Sequence, residues 1–307
     1  MKILITGGAG YLGSVMTPSF LDQGHEVTVL DNLMYGQRTS LLACCNRPGF
    51  DFVRGDVRDE RILNELIPRH DVLIPLAAIS GAPACDRDPV LARQVNQEAV
   101  ETLNRLRSPQ QRVIFPCTNS GYGTRSGEMF CTEESALEPI SVYGITKVAA
   151  EKSLLESPNT LTLRLATVFG VSPRMRLELL VNQFAWKALV DGYLVLYEKH
   201  FKRNYLHIQD AADGFAWCLD HFEDMKGTCY NLGLQDANLS KEELAVKIKQ
   251  HVPHLYIHSA EVGRDPDQRN YIVSNEKMRL AGFEARRSLD EGLRQLLVSY
   301  RMLRDLL

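Results

Sequence analysis

The chain has 307 residues, 45% of them hydrophobic and 24% charged, and a net charge of −3. That is enough for one large or two closely joined domains, and it excludes the basic excess that would draw nucleic acid or an anionic membrane. No apolar stretch is long enough to span a bilayer and the first one is too short for a signal peptide; the seven cysteines are scattered and the eight histidines lack ligand spacing, so a cytoplasmic protein with reduced thiols and no metal is expected.

Lys2 to Thr6, an apolar run with β-branched residues, predicts a buried strand. The turn Thr6-Gly7-Gly8-Ala9-Gly10-Tyr11-Leu12-Gly13 follows, then a helix reaching Gly24, then a second strand from His25 to Leu30 with Asp31 at its end. Strand, glycine turn, helix, strand and acid is the order of a dinucleotide site. Gly7 permits the tight turn, Gly10 lets a pyrophosphate approach the helix N-terminus, and Gly13 lets helix and strand pack closely. Asp31 would accept hydrogen bonds from the adenosine ribose hydroxyls and repel a 2′-phosphate, so NAD is expected rather than NADP. Pro18 falls inside the first helix and predicts a kink near Met16-Thr17 or an irregular first turn.

Asn32 to Ser40 is polar and predicts a loop or a short helix start, and Phe50 to Arg54 a third strand. Asp56, just beyond it, either faces the adenine amino group or, like Asp59, caps the helix Arg61 to Pro68. A fourth strand is expected at Asp71 to Ala78 and a long helix at Val90 to Leu106, with Asn96 on its surface. The fifth strand, Arg112 to Pro116, runs into Cys117-Thr118-Asn119-Ser120-Gly121-Tyr122-Gly123, at the edge of a parallel sheet where ligands bind. After a polar loop to Pro139, Ser141 starts a helix, and a strand is expected at Thr160 to Leu165. The alternation then weakens: a helix at Leu177 to Val190, strands at Tyr193 to Tyr197 and Thr228 to Leu232, and helices at Ala211 to Leu219, from Ser240 to about Gln250, and from near Ser288. A seven-stranded, mainly parallel sheet is expected from the N-terminal two-thirds.

Tyr143 and Lys147 stand four apart, hence on one face of the helix that Ser141 starts. An ammonium one turn away and the positive nicotinamide ring favour the phenolate, which takes a proton from an alcohol at neutral pH. Thr118, at the expected ligand edge, carries a hydroxyl able to hold the same oxygen.

These pieces together resemble the extended short-chain dehydrogenase/reductase family, in its NAD-dependent nucleotide-sugar epimerase and dehydratase branch. The resemblance spans nearly the whole chain: the Thr6 to Gly13 turn, Asp31, Gly55-Asp56-Val57, Leu76-Ala77-Ala78, Asn96, Thr118, Tyr143-x-x-x-Lys147 and Arg203-Asn204-Tyr205-x-His207-x-x-Asp210. It implies an α/β fold, a Rossmann-type doubly wound parallel sheet with a smaller C-terminal substrate-binding lobe. Residues 1–167 plus 207–235 would bind NAD, and 168–206 plus 236–307 the nucleotide-diphosphate sugar. Thr118, Tyr143 and Lys147 would be catalytic. Gly7, Gly10, Tyr11, Leu12, Gly13, Asp31, Asn32, Asp56, Val57, Leu76, Ala77, Ala78 and Asn96, with Tyr143 and Lys147, would touch the cofactor. Ser120, Thr167, Arg174, Asn182, Arg203 and Arg264 would touch the substrate, the arginines suiting phosphate because guanidinium binds it bidentately. A homodimer through the helices near 90–106 and 142–156 is also implied.

The departures narrow the expected chemistry. Asn119 and Ser120 stand where the family's 4,6-dehydratases carry Asp and Glu, and neither exchanges a proton near neutral pH. Thr167 replaces an Asn that many 4-epimerases use, and Glu198-Lys199-His200-Phe201 replaces a glycine-rich turn. The runs Asn119 to Gly123 and Ser172-Pro173-Arg174-Met175-Arg176 look similar to bacterial enzymes that oxidise carbon 4 of GDP-heptoses for surface polysaccharides. The expectation is therefore a 4-epimerase or 4-dehydrogenase. The alternative is a non-catalytic NAD-binding sensor or scaffold on the same fold, which would be expected to lose the Tyr–Lys pair.

Overall fold

Neighbouring side chains of the first strand fill two different cores. Ile3 and Ile5 pack with Met16, Phe20 and Phe215, whereas Leu4 packs on the opposite face with Leu103, Phe115 and Leu154. A strand buried on both faces reads as an unbroken apolar run and belongs inside a parallel sheet. The computed structural model describes residues 1–125, 130–260 and 269–303. Its strands in chain order are β1 (Lys2–Thr6), β2 (Glu26–Asp31), β3 (Phe50–Arg54), β4 (Val72–Pro75), β5 (Arg112–Thr118), β6 (Thr160–Leu165), β7 (Thr167–Phe169), β8 (Tyr193–Leu196), β9 (Lys202–His207), β10 (Cys229–Leu232), β11 (Asn238–Ser240) and β12 (Tyr256–Ser259). Seven of them form one parallel sheet in the order β3-β2-β1-β4-β5-β6-β10, in register Ile3 with Val27 and Leu4 with Leu73. The order reverses between β1 and β4, and such a switch point opens a crevice at the strands' C-terminal ends.

Several expectations are corrected in detail. β4 stops at Pro75, whose missing N–H cannot continue the ladder, and not at Ala78. The helix expected over Val90 to Leu106 is interrupted by a π-helical stretch, Gln94–Glu98, between Pro89–Arg93 and Ala99–Leu106. Asn96 lies in that stretch and is fully buried, not on the surface. The first helix, Gly13–Asp22, continues through Pro18. Its first turn is mixed, since the Leu12 carbonyl accepts from both Val15 (3.1 Å) and Met16 (3.0 Å). The helix expected from Leu177 starts at Leu180, and a short helix, Ala82–Arg87, was not expected.

A third core gathers Val181, Phe184, Tyr205, Leu244, Leu293 and Leu296 around the helices Leu180–Val190, Lys241–His251 and Leu289–Leu303. Two small sheets border it, β11-β9-β7 and β12-β8. Ser240 caps its helix in a full capping box with Glu243.

The helix Val142–Leu155, capped by the Ser141 hydroxyl, is fastened to β6 by a buried ion pair. Arg164 meets Glu151 at 2.9 Å, with side chains 7% and 3% exposed. The Thr162 hydroxyl donates to the same carboxylate (2.7 Å), and Arg164 also donates to the Tyr122 hydroxyl (3.1 Å) and the Glu133 carbonyl (3.0 Å). Burial opposes the arginine's charge, but Glu151 and its hydrogen bonds outweigh it and hold the guanidinium protonated. Removing one member of such a pair strands the other charge. Glu151→Ala is expected to lose about 3–5 kcal/mol in denaturant unfolding. The double change Glu151→Leu with Arg164→Met should recover much of that loss.

Candidate active site

The turn after β1 is shaped by its glycines. Gly7 has φ +71° and donates to the Leu30 carbonyl at 2.8 Å, and a Cβ there would lie 2.6 Å from the Ala77 Cα. A Cβ on Gly13 would lie 2.5 Å from the Gly8 Cα, so its close packing is against the turn itself. At Gly10 a Cβ would meet only the Gly7 carbonyl, at 3.1 Å, which leaves the outer side of the turn clear. The N–H groups of Tyr11, Leu12 and Gly13 have no backbone acceptor among the described residues. Free N–H groups at a helix N-terminus bind anions. Asp31 is buried at the end of β2 and accepts from Ala9 N–H (3.0 Å) and Leu33 N–H (2.8 Å). Burial raises its pKa, against the pull of these two N–H groups and of Arg174. This donor and acceptor set fits a pyrophosphate flanked by a ribose.

The other expected cofactor residues line the same crevice or brace it. Asn32 donates to Asp56 at 3.2 Å, and the Arg58 fork beside Asp56 holds that carboxyl at about 2. The helix cap is Asp59, not Asp56. Val57 packs with Ile79 and Val95, and Leu76, Ala77 and Ala78 lie half-buried just past β4. Asn96 brackets the chain beyond them: its amide bonds both the Ile79 N–H (2.8 Å) and the Ile79 carbonyl (2.9 Å), and reaches Thr146. Tyr11 gives its hydroxyl to the Gly170 carbonyl at 2.7 Å and takes a bond from Asn182. Ser172 bonds the Tyr11 carbonyl (2.7 Å) and the Ser14 hydroxyl (2.9 Å). The segment Gly170 to Arg176 is thereby strapped onto the glycine turn.

Thr118 ends β5, its hydroxyl bonded to Ser120. Tyr143 opens the neighbouring helix. Burial raises its pKa; a polar contact with Ser80 and the charges of Arg176 and Arg269 oppose this, while the Cys117 thiol adds to it. Lys147 is buried, its ammonium 3.9 Å from the Phe115 ring centroid and brought down to about 8 by burial. After burial, Ser80, Arg176, Cys117 and Arg269 act on the tyrosine in that order.

The expected substrate residues are spread more widely. Ser120 takes a hydrogen bond from Arg269. Thr167 starts β7 opposite Tyr205, and Arg203 is buried 5.5 Å from the Tyr271 ring. Arg174 lies 4.8 Å from the Tyr35 ring, on the Asp31 side of the crevice. Asn182 supports Gly170, Tyr11 and the Arg176 carbonyl. Arg264 lies outside the described residues. Three polar residues escape the sequence reading: Ser80, Arg176 and Arg269. Ser80 and Arg176 carry a signal, the first lying two residues past Ala78 and the second ending the Ser172 to Arg176 run.

Glycine turn, buried acid and strand-end hydroxyl on a doubly wound sheet define an NAD-binding oxidoreductase-type α/β protein. The chain belongs to the NAD dependent epimerase/dehydratase family, whose model matches residues 3–233. A low-salt glycan biosynthesis protein of Haloferax volcanii is 29% identical over 303 residues, 95% of this chain and 96% of that one. A UDP-glucose 4-epimerase of Halalkalibacterium halodurans is 26% identical over 90% of this chain and 88% of its own length. The solved dTDP-glucose 4,6-dehydratase of Streptomyces venezuelae, with NAD bound, superposes with a TM-score of 0.86 at 26% identity, over 100% of this chain and 98% of that one. The protein is an enzyme of this nucleotide-sugar epimerase/dehydratase family, and NAD is its cofactor. No helix among the described residues is long and apolar enough to cross a membrane.

An ionised Asp31 accepts ribose hydroxyls more strongly than a protonated one, and burial has raised its pKa. NAD affinity should therefore fall on acidification through that raised range. In Asp31→Asn it should be weaker throughout and lose the pH dependence, as read by calorimetric titration.

Proposed function

We propose that this enzyme oxidises the 4-hydroxyl of a nucleotide-diphosphate sugar, as a 4-epimerase or 4-dehydrogenase in bacterial surface polysaccharide synthesis. The observation that carries the reading is the end of β5, where residues 119 and 120 are an amide and a hydroxyl and not carboxylates. Dehydration needs a second acid and base beside the tyrosine. The strand end instead carries the Asn119 amide, both of whose polar atoms are buried and without a hydrogen-bond partner among the described residues, and the Ser120 hydroxyl.

In this reading Tyr143 takes the hydroxyl proton, Thr118 orients the oxygen, and Lys147 holds the nicotinamide ribose. Bound NAD supplies the hydride acceptor. Residues 1–167 with 207–235 hold the cofactor, and 168–206 with 236–307 the nucleotide sugar through Arg203 and Arg264. GDP-heptoses are the first sugars to test, on the likeness of the Ser172 to Arg176 run. The test is incubation with UDP-, GDP-, dTDP- and CDP-sugars, products being read by mass and NMR. Tyr143→Phe should keep NAD binding and lower turnover by about 10²–10⁴-fold, and Thr118→Val should cost less. Wild-type turnover in Tyr143→Phe would refute the mechanism and return the sensor alternative.

The homodimer is part of the same proposal. Val90, Arg93, Val142 and Ile145 line a groove of about 360 Å³ between the two helices, and Val90 and Ile145 are exposed there. Sedimentation at micromolar concentration should give a dimer, and Ile145→Glu a monomer.

A further inference from the structure

Two loops, both bonded to the glycine turn, meet each other at Arg174 and Tyr35. The first runs from Asp31 to Ser40. The Leu33 N–H holds it to the Asp31 carboxylate at 2.8 Å, with Leu33 in the left-handed region at φ +57°. The Ser40 hydroxyl returns it to the turn on the Ala9 carbonyl at 2.9 Å. The second loop runs from Gly170 to Arg176. It is bonded to the start of the first helix through the Tyr11 hydroxyl, the Tyr11 carbonyl and the Ser14 hydroxyl. The two touch where the Arg174 guanidinium lies 4.8 Å from the Tyr35 ring centroid, within cation–π range. With the Ala9 N–H on Asp31 at 3.0 Å, these contacts close a ring. It passes from the glycine turn through Asp31, Tyr35, Arg174 and Ser172 back to the turn. The first helix, with its free N–H groups, starts in that ring.

Arg174 is half-buried, and its charge is unspent. Its backbone N–H goes to the Ser172 hydroxyl at 3.3 Å, but among the described residues its guanidinium has no hydrogen-bond acceptor and no ion pair. Glu178 on the same segment is taken by Arg176 at 2.7 Å. Taking a guanidinium partly out of water without an acceptor is unfavourable, and an anion bound beside it reverses that. The resemblance drawn from the sequence puts Arg174 on the substrate. We propose instead that Arg174 is a cofactor residue: its guanidinium, held in place by Tyr35, donates to the pyrophosphate of NAD and so closes the ring over the dinucleotide.

A nucleotide sugar carries a pyrophosphate too, and position decides between them. Arg174 hangs two residues from Ser172, which is bonded to the glycine turn, and its aromatic partner lies four residues beyond Asp31. Arg203 lies by contrast against Tyr271, outside this ring. The inference needs NAD and the glycine turn, and not the sugar chemistry proposed above.

The test is the release of NADH from the preloaded protein, followed by its fluorescence after mixing with excess NAD; no substrate is needed. Arg174→Met should release NADH about 10- to 100-fold faster, as expected for a lost hydrogen bond to a charged group. Arg174→Lys keeps the charge without the fork and should fall between. Tyr35→Leu should speed release by about 2- to 5-fold, and Tyr35→Phe should leave it near wild type, because the ring carries the contact. Tyr35 is 51% exposed, so these replacements spare the core. Displacement of bound NADH identifies the group recognised: Arg174→Met should weaken ADP-ribose by about the same factor as NADH and leave adenosine unchanged. Calorimetric titration of the NAD-loaded variant with UDP, GDP, dTDP and CDP should match wild type. Unchanged NADH release in Arg174→Met overturns the proposal, and a loss there of nucleoside diphosphate binding alone returns Arg174 to the substrate. Equal weakening of adenosine and ADP-ribose also overturns it, since the pyrophosphate would then not be the group that Arg174 holds.

Discussion

The site depends on how closely two backbones approach at the switch point of the sheet. The chain leaving β1 passes the chain leaving β4 with no room for a Cβ at Gly7, which would lie 2.6 Å from both the Ala77 Cα and its nitrogen. That contact pins the glycine turn against the neighbouring strand end. It also fixes the start of the first helix, because Gly13 lies as closely on Gly8. Asp31 closes the arrangement from the other side, its carboxylate held by the Ala9 N–H of the turn and by Leu33. An acid in that place is costly to bury, and burial does raise its pKa. The cost is tolerable because the same N–H groups that position the carboxylate also solvate it.

The catalytic helix is held by a different principle. Where the glycine turn works through absent atoms, the helix Val142–Leu155 is fastened by charge, through Glu151 on Arg164, with Tyr122 linking onward to Asn231 at 2.7 Å. A buried ion pair adds little net stability over a well-packed apolar pair, but it tolerates few alternative geometries. For a helix that carries Tyr143, the proposed base, that narrowness matters more than the energy.

Much of this is legible in the sequence. Apolar and β-branched runs mark β1, β3 and β6 with their boundaries, and the order of glycines and acid marks the dinucleotide turn. What sequence shows less well has a physical origin. Asn96 reads as a surface residue because helical periodicity has no sign for a π-helical stretch that turns an amide inward onto Ile79. Lys147 and Tyr143 share a helical face. Spacing fixes where Cβ atoms point and not where a long side chain ends, here over Phe115. Ser80 and Arg176 lie about a hundred residues apart and meet only where the loop after β4 of the large sheet comes against the loop after β7 of a small one.

That meeting ties the two halves of the chain together at the point where chemistry takes place. The segment Gly170 to Arg176 is bonded to the glycine turn through Tyr11, Ser14 and Ser172, lies on the Tyr35 ring through Arg174, and reaches Ser80 through Arg176. The contacts fall on the dinucleotide side of the crevice: on the glycine turn, beside Asp31 and on Ser80. Movement of this one segment therefore alters cofactor enclosure and the environment of Tyr143 together. In the proposed reaction the hydride leaves a carbon and the proton leaves its hydroxyl oxygen, so both acceptors must be in place together, and a single strap bonded to the glycine turn and to Ser80 is a simple physical way to couple the two sides of the crevice.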